Sequence, residues 1–294
     1  MTRIAIVTDS TSDLPRDLAD QRSISVVPLT VSLDGESFLD GVEIKPDEFY
    51  ERLAASRSAA TTSQPSPGLF AETYERLLRS HDEVVSIHIS EKLSGTLAAA
   101  RQGAVLVDSS RIHVVDSELV SMPLSLLTLV ASRLADQDEP AAAILSRLRE
   151  VGSACRTFFT VSTLEYLRRG GRIGHARAFL GSVLQLKPLL TIREGEVAPL
   201  EKVRTHERSL TKLIELARAV DTGHGLCLIV GHAAREDSAQ RLARTLEPVC
   251  ESVMVQQLGP VVGAHAGPGT VGLGCYPAQL FQLGLKRLAA AATL

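Results

Sequence analysis

Short apolar strand patterns alternate with helical patterns through the first half of the chain, and this alternation constrains the fold more than any other feature. The strand patterns lie at 3–8, 24–33, 83–89 and 111–116, and the helical patterns at 46–56, 67–80, 95–106 and 121–135. Strands separated by helices are typical of βαβ units. The first half is therefore predicted to form a parallel, Rossmann-like α/β sheet.

The second half follows a different pattern. A helix is predicted at 163–174, where a glycine pair stops it, and a hairpin is predicted around Glu194-Gly195. The remaining predicted strands lie at 157–162, 225–231 and 252–258, and the remaining helices at 206–220 and 235–247. Hairpins mixed with helices indicate a mixed sheet. We expect two α/β domains, an N-terminal parallel domain at 1–155 and a C-terminal mixed domain at 156–294.

Composition and charge exclude several classes of protein. Hydrophobic residues make up 45% of the chain and charged residues 22%, as in globular domains. The net charge of −3, with lysine and arginine scattered, argues against a nucleic-acid partner. The apolar runs are too short for a membrane span, and the start "MTRIAIVTDS" is a strand pattern with no signal region.

The four cysteines are widely spaced and lie in apolar settings, without a CxxC pair or a metal-ligand spacing. We expect buried free thiols in a reducing cytoplasm. No metal site is predicted.

The segment "TTSQPSPG" at 61–68 places four hydroxyls before a predicted helix. Ser66 followed by Pro67 is typical of a helix N-cap. Thr61, Thr62 and Ser63 then remain available either to line a cleft or to serve local structure.

The segment "SEKLSGTLAAA" at 90–100 places Ser94, Gly95 and Thr96 between a buried strand and an alanine-rich helix. A helix start has free N–H groups and a dipole that favour an anion. Ligands of open α/β sheets lie at the carboxyl ends of the strands, where this segment is predicted to be. An ordinary helix cap is the alternative.

The segment "GPVVGAHAGPGTVG" at 259–272 surrounds one histidine, His265, with glycine and proline. His265 either has a structural role or faces a bound molecule. Ser94 and His265 together suggest a hydrolase, but the G-x-S-x-G nucleophile pattern is missing. A Walker phosphate loop is missing too, so neither a nucleotide site nor a cofactor is predicted.

Five motifs together resemble the DegV family, which includes the FakB fatty-acid-binding proteins. They are "VTDSTSDLP", "TTSQPSPG", "LSGT", "LEYLRRGGRIG" and "GPVVGAHAGPGTVG", and the resemblance extends from residue 4 to about 280. It implies a bacterial, cytoplasmic protein with a long-chain fatty acid between its two domains. It also implies that no catalytic residues are present.

The resemblance implies roles for individual residues. Thr62, Ser94 and His265 would hold the fatty-acid carboxylate, and a FakA-like kinase would convert it to an acyl phosphate with ATP. Arg172 would contact that kinase, and a membrane surface would be at most a transient partner. We also expect four neighbouring residues to bind the ligand: Ser63, Gly95, Thr96 and Gly267.

Three hypotheses follow for the function. The first is a fatty-acid carrier subunit, the second a Ser94/His265 lipid hydrolase, and the third a lipid-sensing interaction protein without a kinase partner. Five apolar residues are candidates for lining the acyl tail, with core packing as the alternative for each: Phe158, Phe159, Phe179, Leu180 and Leu184.

Overall fold

Three β-sheets organise the chain in a computed structural model that describes residues 2–56, 58–181 and 186–284. The strands are β1 (Ile4–Asp9), β2 (Ile24–Val27), β3 (Thr30–Leu33), β4 (Glu36–Leu39), β5 (Thr61–Ser63), β6 (Glu83–His88), β7 (Ile112–Asp116), β8 (Arg156–Thr160), β9 (Lys187–Arg193), β10 (Glu196–Val203), β11 (Leu226–His232), β12 (Cys250–Gln257) and β13 (Val271–Pro277).

Helices cover the sheets and connect them. They are α1 (Arg16–Gln21), α2 (Pro46–Ala55), α3 (Pro67–Leu78), α4 (Thr96–Val107), α5 (Met122–Asp136), α6 (Ala141–Ala154), α7 (Glu165–Arg169), α8 (His206–Arg218), α9 (Glu236–Leu246) and α10 (Pro260–Ala266). Short 3₁₀ turns lie at Ser10–Ser12, Gly174–Phe179 and Glu247–Val249.

The first sheet has four parallel strands in the order β2-β1-β6-β7, so the predicted parallel α/β sheet is confirmed. Its central strand β1 is buried along its whole length. The carboxyl ends of parallel strands meet at one edge, so the loops after β1, β6 and β7 leave the sheet together. These loops bring Thr11, Ser94 and Ser121 together at the carboxyl edge of the sheet.

The second sheet has six strands in the order β10-β9-β8-β13-β11-β12. Only the pair β11 and β12 is parallel, so the predicted mixed sheet is confirmed. The hairpin predicted around Glu194-Gly195 is β9 and β10, and Gly195 takes the positive φ of +76° that its turn requires. The last strand of the chain, β13, lies inside this sheet between β8 and β11.

The single strand predicted at 24–33 was wrong. The chain breaks at Pro28: β2 joins the parallel sheet, while β3 forms a small antiparallel sheet in the order β4-β3-β5. Proline cannot donate to a ladder of hydrogen bonds, so the strand ends there and changes direction. This third sheet was not predicted, and its strand β5 holds Thr62.

The glycine-rich segment at 259–272 is more regular than its composition suggested. It contains α10, with Pro260 at its first turn, and the start of β13. Two glycines in β13 allow close packing, since a Cβ at Gly272 would lie 2.6 Å from Phe159 Cβ and one at Gly274 would lie 2.6 Å from Pro123 N. His265 is therefore held on a packed helix.

Helix α5 joins the two large sheets into one core. Twelve of its fifteen residues are buried, and it packs against β1 and β6 of the first sheet and against β11 and β13 of the second. Residue 155 falls between α6 and β8, where the strands of one sheet give way to those of the other. The division into two domains at that point stays a prediction.

The four cysteines are buried and free of disulfides, as predicted. None of the helices in the described segments combines the length and the apolar character needed to cross a bilayer.

Candidate functional site

A cavity lies where the carboxyl edge of the parallel sheet meets the face of the mixed sheet, with α10 along one side. The space that the centre of a water-sized sphere can occupy is about 100 Å³, and about 820 Å³ is free of protein atoms when the part open to solvent is included. The cavity is therefore narrow and partly open to solvent. Most of the wall is apolar and comes from both halves of the chain, with Leu29, Ile89 and Val120 from the first and Phe159, Ile192 and Val261 from the second.

Thr62 and His265 meet in the wall of this cavity although 203 positions separate them in the chain. Thr62 lies on β5 and His265 on α10, and 2.8 Å separates Thr62 Oγ1 from His265 Nε2. Both side chains are half-buried. The predicted proximity of these two residues is therefore present in the fold.

The Nδ1 edge of the His265 ring lies against Gly170, the first glycine of the pair that follows α7. A Cβ at Gly170 would lie 2.1 Å from His265 Nδ1. This nitrogen is buried and lacks a hydrogen-bond partner among the described residues. Burial, with a smaller contribution from the charge of Arg172, lowers the pKa of His265 to about 4. The imidazole is therefore neutral at pH 7.

Ser94 lines the same cavity, immediately before α4. Its Oγ is 2.8 Å from Thr96 Oγ1 and accepts a hydrogen bond from Thr96 N at 3.3 Å. Gly95 is the N-cap residue of α4, and the Gln64 side chain packs so closely that a Cβ on Gly95 would lie 1.9 Å from Gln64 Oε1. Ser66 caps α3 as predicted, accepting from Leu69 N at 3.2 Å.

The remaining predicted ligand residues lie beside the cavity rather than in its described wall. Ser63 is exposed on β5, and Thr96 is fully buried at the start of α4. Gly267 ends α10 with a φ of +79°, where a Cβ would lie 2.3 Å from Tyr166 Cδ2. These residues, together with Gly95, shape the loops that carry Thr62, Ser94 and His265.

Arg172 lines the cavity, a position that the sequence analysis did not anticipate. Its Nε donates to Leu93 O at 2.9 Å and its Nη1 to Gly170 O at 2.7 Å, which fixes the guanidinium beside the site. Arg168 and Arg169 behave differently, since both pair with Glu165 on the exposed end of α7. In the sequence, Arg172 differs from Arg168 and Arg169 in lying beyond the glycine pair that ends the helix, which indicates a role other than pairing on the helix surface.

The cavity is electrostatically suited to an anion. Arg172 and His265 lie in the described wall, which includes no aspartate or glutamate. The charge of Arg172 also lowers the pKa of His265, so this guanidinium acts on the same part of the cavity as the imidazole. Hydroxyl donors at Thr62 and Ser94 add groups that can hydrogen-bond to a carboxylate.

Buried carboxyl groups fix the start of α10. Gly259 N donates to Asp13 Oδ1 at 2.8 Å, and Asp13 also accepts from Ser121 Oγ. Burial raises the pKa of Asp13 well above its ordinary value and that of Asp40 to about 7. Asp13 belongs to the motif "VTDSTSDLP", which was noted in the sequence without a role for this residue.

The five candidates for the acyl tail are distributed differently. Phe159 lines the cavity, whereas Phe158 lies on the opposite face of β8, in a separate apolar cluster with residues of α8 and α9. Phe179 packs at the edge of the core around α5, with Lys202 over its ring, and Leu180 is 43% exposed. Leu184 lies outside the described residues. Within those residues, there is no group of three or more histidine, cysteine or acidic side chains that could hold a metal.

Comparison with known proteins places this geometry in a family. The family model described as "Uncharacterised protein, DegV family" matches residues 3–278. A DegV domain-containing protein of Streptomyces coelicolor is 39% identical over 278 residues, covering 92% of this chain and 97% of the relative.

Two solved structures are similar along almost the whole chain. One, described as fatty acid binding of a DegV family protein from Thermus thermophilus, has a TM-score of 0.89 at 38% identity and covers 93% of this chain and 99% of that one. The other is DegV of Bacillus subtilis, described as a fatty acid binding protein, with a TM-score of 0.84 at 32% identity and coverage of 94% and 100%. The chain therefore belongs to the DegV family.

Proposed function

We propose that this protein binds a long-chain fatty acid, holds its carboxylate with Thr62, Ser94 and His265, and presents it to a separate ATP-dependent fatty acid kinase. The observation that carries the proposal is one cavity with an apolar wall that also holds the guanidinium of Arg172, the imidazole of His265 and the hydroxyls of Thr62 and Ser94. The solved relatives described as fatty-acid-binding proteins support the same ligand class.

The two parts of the ligand contribute differently to affinity. Each buried CH₂ group gains roughly 0.8 kcal/mol, so fourteen of them offer about 11 kcal/mol before the entropy of binding is subtracted. A hydrogen bond to a charged carboxylate adds about 1.5–3 kcal/mol. The tail therefore dominates affinity, and the polar cluster determines orientation and head-group choice.

The carboxylate can be bound while His265 is neutral. The hydroxyls of Thr62, on β5, and of Ser94, before α4, can donate to it, and the guanidinium of Arg172, which is fixed by its bond to Gly170 O, supplies positive charge without a proton transfer. A bound carboxylate raises the pKa of His265 from about 4, because an opposite charge favours the imidazolium. Binding and protonation of His265 are therefore coupled.

The hydrogen bonds favour a carrier over a hydrolase. A serine hydrolase needs its serine bonded to a histidine that an acid orients. Here Ser94 pairs with Thr96, His265 Nε2 faces Thr62, and His265 Nδ1 faces Gly170 without a partner in the described chain. These contacts support a non-enzymatic carrier subunit.

Arg172 is the proposed contact for the kinase. Arg172 lies in the cavity wall, next to the carboxylate that the kinase has to reach. It can therefore contact the kinase and also help to orient the carboxylate for phosphoryl transfer. Arginine is enriched among residues that dominate interface energies.

The proposal is tested first by mass spectrometry of lipid extracted from the purified, denatured protein. We expect a long-chain fatty acid in stoichiometric amount, and folded protein without acyl lipid would contradict the proposal. An activated-ester assay should show neither burst nor turnover. Adding a fatty acid kinase and ATP should yield acyl phosphate from wild type.

The kinase contact is tested with Arg172→Glu. We expect this variant to bind fatty acid more weakly, because it places a negative charge beside the carboxylate, and to lose most acyl-phosphate formation even when fatty acid is saturating, with both activities measured on one preparation. Acyl-phosphate formation restored by saturating fatty acid would assign Arg172 to the lipid site alone, and an unchanged rate would remove it from the interface.

A further inference from the structure

One hydroxyl in the cavity wall has no hydrogen-bond partner among the residues that the structure describes. Six threonine and serine residues line the cavity in the described chain, and five of them are bonded: Thr11 to Asp9, Thr62 to His265, Ser94 to Thr96, Ser121 to Asp13, and Thr270 to the carbonyls that end α10. The sixth is Thr157. It is 3% exposed, and its Oγ1 lacks a partner among the described residues.

Strand geometry places Thr157 on the cavity face of the mixed sheet. Successive side chains of a strand point to opposite faces, so Thr157 and Phe159 share one face while Phe158 and Thr160 share the other. The cavity lining agrees, since it includes Thr157 and Phe159.

Thr157 lies well away from the head-group cluster. Thr160, at the other end of β8, pairs with Val271. The preceding residue, Thr270, donates its hydroxyl to the last carbonyl of α10, so Thr160 lies near the end of the helix that carries His265. Thr157 lies three positions before Thr160 along the strand, a distance of roughly 10 Å. If the carboxylate is held at Thr62 and His265 as proposed, the unpartnered hydroxyl lies beside the acyl tail, beyond the carboxylate.

A plain alkyl chain leaves this hydroxyl without a partner. Valine has nearly the same shape as threonine and would line an alkyl chain without burying an unbonded polar group. Resting on the proposed function, we propose that Thr157 recognises a hydroxyl group carried part-way along the acyl chain, so that the preferred cargo is a mid-chain hydroxy fatty acid. A hydroxyl on the ligand can accept from Thr157 Oγ1 or donate to it.

The test compares two isosteric variants in one strand. Thr160 Oγ1 is also buried without a partner in the described chain, but Thr160 faces away from the cavity. Thr157→Val and Thr160→Val therefore remove similar unbonded hydroxyls on opposite faces. Both variants should fold, and Thr160→Val controls for the effect on stability.

The measurement is the ratio of affinities for 10- or 12-hydroxystearic acid and for stearic acid, by competition calorimetry on delipidated protein. We expect Thr157→Val to lower the preference for the hydroxy acid by about fivefold or more, the ratio that one hydrogen bond supplies. Thr160→Val should leave it unchanged. The preference for 3-hydroxystearic acid, whose hydroxyl lies near the carboxylate, should be the same in all three proteins.

An unchanged ratio in Thr157→Val would overturn the inference, and would be the result if a buried water satisfies this hydroxyl. A change confined to the 3-hydroxy acid would overturn the mid-chain assignment. Failure of the proposed function is distinguishable, because wild type would then bind none of these acids, stearic acid included.

Discussion

The adjacent glycines Gly170 and Gly171 are predicted to respond in opposite ways to alanine. Gly170 has a φ of −73°, which alanine adopts freely, so Gly170→Ala introduces no backbone strain. The new Cβ would lie 2.1 Å from His265 Nδ1 and 2.8 Å from His265 Cε1, whereas ordinary contacts begin at 3.4 Å. The imidazole must therefore retreat by about 1.3 Å, a shift large enough to break its 2.8 Å contact with Thr62.

The magnitude follows from the contact that is lost. Without a correctly placed His265, the carboxylate loses one charge-assisted hydrogen bond, about 1.5–3 kcal/mol, so fatty-acid affinity should fall roughly tenfold to a hundredfold. The free energy of unfolding should change by less than about 1 kcal/mol, because the right-handed φ of Gly170 favours alanine over glycine and this gain offsets the cost of moving the half-buried ring.

Gly171→Ala is the matched control. Gly171 has a φ of +72° and open space where a Cβ would be. Alanine there should cost about 1–2 kcal/mol of stability because of its left-handed backbone, while fatty-acid binding should not change.

Denaturant unfolding and calorimetric titration of delipidated protein with stearic acid measure both quantities for each variant. The reasoning would be refuted if Gly170→Ala kept wild-type affinity, since either the ring would not have moved or His265 would not hold the carboxylate. It would also be refuted if both variants lost stability and binding together.

Three further predictions concern the same site. Thr62→Val should weaken stearic-acid binding about tenfold and stearyl-alcohol binding less, as measured by competition calorimetry, and equal losses would mean that Thr62 does not recognise the carboxylate. Between pH 7 and pH 4 the unfolded chain takes up a proton on His265 that the folded protein excludes, because the pKa of His265 is about 4 in the folded protein against an ordinary 6.5. The contribution of this group to the free energy of unfolding is therefore present above pH 6.5 and is lost as the pH falls to 4, by up to about 3 kcal/mol. Denaturant unfolding of delipidated His265→Gln should show a correspondingly smaller loss, and parallel profiles would contradict this. Gly263→Ala should destabilise the protein by about 1–3 kcal/mol, since its Cβ would meet Tyr50 Oη, and Tyr50→Phe should partly restore the loss in a double-mutant cycle.

The parts of the fold that the sequence predicted depend on local periodicity. Helices α3, α4, α8 and α9 fall within two residues of their predicted bounds, because each carries an apolar stripe between clear start and stop signals. The assignment of β2 and β3 to different sheets was missed, because the residues on both sides of Pro28 are similarly apolar and local periodicity does not show which sheet a strand joins.

The site was predicted in outline and not in its contacts. Motif resemblance indicated Thr62, Ser94 and His265, and all three line one cavity, while their role as carboxylate ligands stays a prediction. The steric role of Gly170 could not be predicted, since it depends on an imidazole 95 positions away in the chain. The glycine pair indicated only the end of a helix.

The position of β13 bears on how the protein is made. Ribosomes add about 5–20 residues per second, so β8 and β11 emerge seconds before their shared neighbour β13, which follows both in the chain. Until then β8 and β11 lack their shared partner, and the side of α5 that packs on β13 has nothing to cover it. The mixed sheet can close only after β13 has left the ribosome, and until then the nascent chain carries uncovered apolar surface and open strand edges.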